Sequence, residues 1–282
     1  MNPPLEPEVQ AALQHAGIRP RSFVRISKLR STDAGRCTYR IGHDCGTVKA
    51  RRLEDEPTAR QLATLRSELP EAFAPVILQH GRVLIEAWID GDPLPAVPEP
   101  RHLEIAGALL GEMHALSKLG PGMLHEAYPT ADHRLFVREI LRRLAATGAL
   151  GEEEAARLER ALERWDPLPT TFGLAHLDFC GENMVIDRSG QLRVVDNDRI
   201  RLDAFGYDLA RTWYRWALAA PEWDCFCRAY ASRVPFPNQL DSLRPWKIIA
   251  AARSVEFRLR HYPEQTDVPL SYLRALAAEE TG

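Results

Sequence analysis

The sequence predicts an α+β fold in two lobes: a small antiparallel-sheet lobe over residues 1–89 and a larger, mainly helical lobe over 90–282. Three observations carry this. Between Phe23 and Ile89, short strand-like runs broken by turn residues surround a single helical stretch. From Asp90 to Pro100 the composition shifts to a Pro-rich connection. Beyond it, apolar residues recur at helical spacing almost everywhere except in one hairpin.

In chain order, residues 5–16 carry Leu5, Val9, Ala12 and Leu13 at helical spacing and form a short leading helix. Phe23–Leu29, Cys37–Ile41 and Thr47–Ala50 read as an antiparallel meander. Ser31-Thr32-Asp33-Ala34-Gly35 and Gly42-His43-Asp44-Cys45-Gly46 separate these runs. Pro57 suits the first position of a helix whose Leu62, Leu65 and Leu69 share one face. Val76–Gln79 and Arg82–Ile89 are two further strands. In the second lobe, His102–Leu119 places Leu103, Ala106, Leu110, Met113 and His114 on one stripe. A charged helical pair follows over 132–147 and 152–165, split at Gly148 and Gly151, and further helices cover 206–219, 221–232, 243–260 and 270–280.

A chain of 282 residues suffices for two lobes with real cores. Hydrophobic content of 45% and a net charge of −3 give no electrostatic footprint for nucleic acid and no polybasic membrane patch, so neither partner is expected. No apolar run approaches a membrane span. Met1-Asn2-Pro3-Pro4-Leu5-Glu6 lacks the basic start and apolar stretch of a signal peptide. The five cysteines are an odd number, and Cys225-Phe226-Cys227 has the wrong spacing for a zinc knuckle or a redox pair. Free thiols in a reducing cytoplasm are the expectation.

Residues 173–198 are the most informative. Met184–Ile186 and Leu192–Val195 flank Asp187-Arg188-Ser189-Gly190, which is a strand, a tight turn and a returning strand. Asn183, just before the first strand, and Asp196, just after the second, therefore belong at the same open end. Asp178 lies five residues before Asn183 on a short loop, with His176 behind it. An acid able to take a proton, an amide, and a carboxylate able to hold a hard cation suit phosphoryl transfer.

The spacing His176-x-Asp178-x-x-x-x-Asn183, followed by Asp196 at the end of the next hairpin, resembles the catalytic and metal-binding loops of the protein-kinase-like fold. The closer likeness is to the aminoglycoside phosphotransferase and choline kinase family, covering about residues 22–220 and specific in 173–210. The resemblance implies a two-lobed kinase-like fold and transfer of the γ-phosphate of ATP, with GTP as an alternative, to a hydroxyl of a small molecule. Asp178 would be the catalytic base and His176 a brace for its loop. Asn183 and Asp196 would hold Mg²⁺ against the nucleotide, and Lys49, in Gly46-Thr47-Val48-Lys49-Ala50, would hold the phosphates. Leu84–Leu94 is similar to the family's hinge, so Glu86 to Trp88 would contact the purine mainly through main chain. Gly206-Tyr207-Asp208-Leu209-Ala210 resembles the family's Asp-Leu-Ala signature, whose Asp accepts backbone N–H bonds from the catalytic loop.

The chain departs from the family at three places. Where the strand lysine is usually paired with a helix Glu, this chain has Gln61, leaving Glu56 or Glu68 as substitutes. The first hairpin, Ser31 to Arg36, has a single Gly. After Asp196 comes Asn197-Asp198, where Asp198 is either a second metal ligand or solvated. Only twelve positions separate Asp196 from Asp208, too few for a peptide-docking activation segment, which favours a small acceptor. Two other functions remain open: a catalytically silent kinase-like nucleotide-binding protein, and a metal-dependent hydrolase using His176, Asp178, Asp196 and Asp198. Residues 206–282 hold nine acids against ten Lys or Arg, giving no average support for a polycationic acceptor. Oligomeric state is not legible.

Overall fold

The computed structural model describes residues 4–26, 36–116, 130–165, 171–196, 199–234, 240 and 242–281. The chain divides into two compact units, Met1–Ala96 with Gly181–Asp196, and Val97–Cys180 with Asn197–Gly282.

In the first unit, α1 (Pro7–His15) opens on Pro7, whose fixed φ suits a first helical position. It lays Val9, Ala12 and Leu13 on a five-stranded antiparallel sheet of order β1-β2-β3-β5-β4. The strands are β1 (Ser22–Arg25), β2 (Cys37–His43), β3 (Gly46–Arg52), β4 (Val76–His80) and β5 (Val83–Ala87). Alternation decides the core: Cys37, Tyr39 and Ile41 of β2 are buried beside Val48 and Ala50 of β3 and Val83 and Ile85 of β5. Gly46, at φ 140°, closes the tight turn from β2 to β3, a backbone angle that L side chains rarely adopt. Between β3 and β4 runs α2 (Glu56–Glu68), capped by the Asp55 carboxylate, which accepts the Thr58 N–H at 2.8 Å.

The predicted hairpin is present as β8 (Met184–Asp187) and β9 (Leu192–Val194), with β6 (Gly91–Pro93) paired to the outer edge of β8. Asp187 organises its turn by accepting from Ser189 N, Ser189 Oγ and Gln191 N. Those bonds and the Arg193 guanidinium hold its carboxyl well below the usual range. Gly91 is needed because a Cβ there would lie 2.2 Å from the Ile186 carbonyl oxygen. Arg193 donates to the carbonyls of Pro70 and Glu71, and Val194 N–H to that of Ala72, which ties the hairpin into the first unit. The division expected at residue 89 therefore differs from these units. The first unit continues to Ala96 and takes in Gly181–Asp196, because β6 and β8 pair across a long sequence separation.

The second unit is mainly helical. It contains α3 (Pro100–Ala115), α4 (Thr130–Ala146), α5 (Glu152–Glu163), α6 (Phe205–Trp216), α7 (Ala220–Ala231), α8 (Leu243–His261) and α9 (Asp267–Ala278). A two-stranded sheet of β7 (Phe172–Ala175) and β10 (Arg201–Ala204) was not foreseen; the predicted helices leave both segments unassigned. The predicted strand to Leu29 ends at Arg25 among the described residues, and the helix predicted to Leu119 ends at Ala115. Residues 27–29 and 117–119, and Ser31–Gly35 of the first hairpin, lie outside the described residues. All five cysteines are free. No described helix is long and apolar enough to cross a membrane.

Glycine permits a close contact between α3 and α7. A Cβ on Gly107 of α3 would meet the Phe226 carbonyl oxygen of α7 at 2.3 Å. Gly107→Ala is therefore expected to destabilise the protein by about 1–3 kcal/mol through overpacking. A chemical-denaturation midpoint equal to that of the parent would show that the two helices part without cost.

Candidate active site

The predicted residues divide between the two units. In the second unit, β7 runs into the loop His176–Cys180, and Leu177 takes a positive φ of 63°. This is costly for a non-glycine residue and persists only where the surroundings impose it. Asp208, in the first turn of α6 and fully buried, supplies that restraint. Its Oδ2 accepts the His176 N–H at 2.6 Å, and its Oδ1 accepts the Leu177 N–H at 2.7 Å. His114 Nε2 lies 3.1 Å from the same Oδ2, and His114 Nδ1 is 2.8 Å from the Tyr230 hydroxyl. Burial first, then the Asp208 charge, pushes the Tyr230 hydroxyl far above its usual range.

With the loop fixed, Asp178 stays accessible, its side chain one-fifth exposed at 20%. Arg211 lies 3.4 Å and Arg215 3.2 Å from its Oδ1, and Arg211 Nε also donates to the Leu177 carbonyl. Burial pulls the Arg211 guanidinium down, but Tyr207 and Asp178 outweigh it and the net shift is upward. His176 is fully buried, its Nδ1 accepting the Asp178 N–H at 3.2 Å and its ring edge-on to Phe179. That geometry keeps the imidazole behind the loop.

A second buried polar chain was missed from the sequence. Arg253 donates to His133 Nδ1 at 3.0 Å, and His133 Nε2 lies 3.2 Å from Asp203 Oδ1. Arginine has only donors to offer, so Nδ1 accepts and the Nε2–H faces Asp203. Burial pushes the Asp203 carboxyl up, but His133 and Arg201 outweigh it and leave it below its usual range. A polar Arg201-Leu202-Asp203 run reads as a surface loop, so no pattern signalled this burial.

In the first unit, the β8–β9 ladder extends one step: Val195 N–H donates to the Asn183 carbonyl at 2.9 Å. Asn183, in the single turn Gly181–Asn183, and Asp196 therefore sit at one end of the hairpin. The Asp196 side chain is 53% exposed. Lys49 of β3 donates from Nζ to the Val195 carbonyl at 2.6 Å. Arg51, two residues along and so on the same face, reaches Asp196 Oδ1 at 3.2 Å.

Glu56 is at the start of α2 and pairs with Arg60, and Glu68 is exposed. Helix α2 also contributes a buried cation, Arg66, whose partner is Glu86 at 2.6 Å. These placements bear on the residues expected at the hinge. Glu86 is 2% exposed, its carboxylate is engaged by Arg66 and Arg51, and its backbone lies inside the sheet opposite Lys49 and Val76. The Ala87 N–H is taken by the Pro75 carbonyl and the Trp88 N–H by that of Thr47. Main-chain donors of residues 87 and 88 are thus consumed within the sheet, and the Trp88 ring carries Arg40 at 4.7 Å. Asn197 and Asp198 lie outside the described residues.

An antiparallel five-stranded sheet with one helix between its strands, and a helical unit presenting a His-x-Asp loop clamped by a helix Asp, define a protein-kinase-like fold. The chain belongs to the phosphotransferase enzyme family, whose family model, APH, matches residues 33–246. Comparison with curated protein sequences yields no match. Among solved structures the chain is similar to choline kinase LicA from Streptococcus pneumoniae, at 11% identity and TM-score 0.67 over 96% of this chain and 98% of that one. It is similar to a spectinomycin phosphotransferase in complex with ADP and spectinomycin, at 14% identity and TM-score 0.65 over 97% of each chain. It is also similar to a putative fructosamine-3-kinase from Thermobifida fusca YX-ER1, at 17% identity and TM-score 0.64 over 98% of this chain and 100% of that one. At such identities the likeness speaks to the fold.

Proposed function

We propose that this phosphotransferase moves the γ-phosphoryl group of ATP to a hydroxyl of a small molecule. The observation that carries the reading is the accessible Asp178 on a loop held by Asp208, in a chain of this family. Asp178 orients the acceptor hydroxyl and takes its proton as the oxygen attacks. Lys49 places a compact positive charge for the phosphates. Asn183 and Asp196 are the residues that would hold Mg²⁺. They fit it: both offer oxygen, Asp196 is half exposed, and Mg²⁺ is commonly bound by one or two carboxylates plus phosphates and water. When bound, Mg²⁺ neutralises charge on the phosphate oxygens.

The acceptor follows from charge and space. Twelve positions from Asp196 to Asp208 leave no room for a peptide-docking segment. Solved neighbours carry the names of kinases for choline, spectinomycin and fructosamine, all small hydroxyl compounds. Here Arg211 and Arg215 set two positive charges beside Asp178, so a neutral or acidic sugar-like alcohol suits the site better than a polycation. A screen of neutral, anionic and cationic hydroxyl compounds for ADP release with MgATP and MgGTP tests this. Release with none of them, alongside tight nucleotide binding, would leave a silent nucleotide-binding protein instead.

Lys49→Ala is expected to raise KM for ATP and cut turnover. Lys49→Arg should restore part of the loss, because a planar fork replaces a compact ammonium poorly. Wild-type KM for Lys49→Ala would remove Lys49 from nucleotide binding.

A further inference from the structure

We infer that Arg51 is a positioning residue for Asp196, and that the buried Glu86 holds Arg51 to that task. The inference rests on Asp196 being the metal-holding carboxylate. Arg51 is 2% exposed, and its guanidinium stands between two carboxylates: Glu86 Oε2 at 3.5 Å and Asp196 Oδ1 at 3.2 Å. Arg66, also buried, meets the other Glu86 oxygen at 2.6 Å.

Arg66 and Glu86 form a buried pair that is neutral as a unit. Arg51 adds one more positive charge out of water, a placement that is expensive unless carboxylates face it. Glu86 is shared with Arg66, and the other face of the guanidinium is directed at Asp196. A planar fork can touch two carboxylates in fixed directions, which an ammonium cannot do. The Lys49 bond to the Val195 carbonyl fixes the backbone one residue earlier, so backbone and side chain at the hairpin end are both tied to β3. Asp196 is thereby oriented by a chain of charges, Arg66–Glu86–Arg51, that begins on α2 and passes through β5. In this chain the buried carboxylate beside Arg51 comes from a strand, and the helix supplies a cation.

The test uses Mn²⁺ as a spectroscopic stand-in for Mg²⁺, with binding to the full chain followed by electron paramagnetic resonance in the presence of ADP. Arg51→Met leaves the neutral Arg66–Glu86 pair in place and should fold, yet bind Mn²⁺ roughly 10–100-fold more weakly, the usual effect of losing a residue that orients a metal ligand. Arg51→Lys keeps the charge and loses the fork, and should recover only part of that affinity. Asp196→Asn, measured in parallel, should weaken Mn²⁺ binding at least as much. Unchanged Mn²⁺ affinity in folded Arg51→Met, with Asp196→Asn impaired, would overturn the inference while leaving the metal role of Asp196 intact. Unchanged affinity in Asp196→Asn would overturn both. If Arg51→Met does not fold, Arg51→Lys decides: wild-type affinity overturns the inference, and so does failure of both variants to fold, because Arg51 would then serve the sheet alone.

Discussion

Replacing Asp178 with Asn is expected to lower turnover by roughly 10²–10⁴-fold while leaving nucleotide affinity unchanged, the usual worth of a positioned general base. Asn keeps the size and planarity of the side chain and removes its charge and its capacity to take a proton. The loop itself does not depend on that carboxylate. Its backbone is held by Asp208 through His176 and Leu177, and by Arg211 Nε on the Leu177 carbonyl. Losing the charge opposite Arg211 and Arg215 should cost little stability, because all three side chains retain contact with water. Turnover within a few-fold of the parent, with ADP binding intact by calorimetry, would remove Asp178 from the chemistry.

Asp208→Asn should damage both fold and activity. The carboxylate accepts one N–H on each oxygen, at 2.6 and 2.7 Å, with no exposure to solvent. An amide offers one oxygen, and its NH₂ must face the second backbone N–H. Leaving one buried donor unsatisfied costs about 1–3 kcal/mol. The positive φ of Leu177 loses its restraint at the same time, so a total of roughly 2–4 kcal/mol is expected. Relaxation of Leu177 would swing the Asp178 backbone, so turnover of the remaining folded protein should fall as well. Urea unfolding measures the first effect and steady-state kinetics the second. A parental unfolding midpoint would mean that the loop holds its shape without Asp208.

Which parts of this were legible in the sequence follows from what short-range pattern encodes. The hairpin was legible because two apolar runs flank Asp187-Arg188-Ser189-Gly190, and that turn is closed by bonds within the segment itself. The alternation of Cys37, Tyr39 and Ile41 gave β2 its face, and Pro57 with Leu62 and Leu65 gave α2 its position. By contrast, β6 reads Gly91-Asp92-Pro93, three exposed residues with no strand propensity. It exists only because Asp187, Ile186 and Val185 lie opposite it. The strands β7 and β10 are likewise short and made by pairing rather than by composition. The same limit hid the charges. Arg51 and Arg66 look like any solvated arginine, and Glu86 like the edge of a hinge. Their burial comes from residues 15 to 35 positions apart meeting on one sheet face. Asp178, Asn183 and Asp196 carry their own spacing signature, whereas the residues that hold them in place carry none.

The membership of Gly181–Asp196 in the first unit bears on how the chain matures during synthesis. When residue 96 leaves the ribosome, the five-stranded sheet has all its strands. Yet β6 has no neighbour, and the carbonyls of Pro70, Glu71 and Ala72 still lack the donors of Arg193 and Val194. The intervening stretch Val97–Cys180 takes roughly 4–17 s to appear at a rate of ~5–20 residues per second. Throughout that interval β6 and those carbonyls lack the hairpin that completes the first unit. The hairpin that completes the first unit is also the segment carrying Asn183 and Asp196, so these two residues reach their places only after Val97–Cys180 has been made.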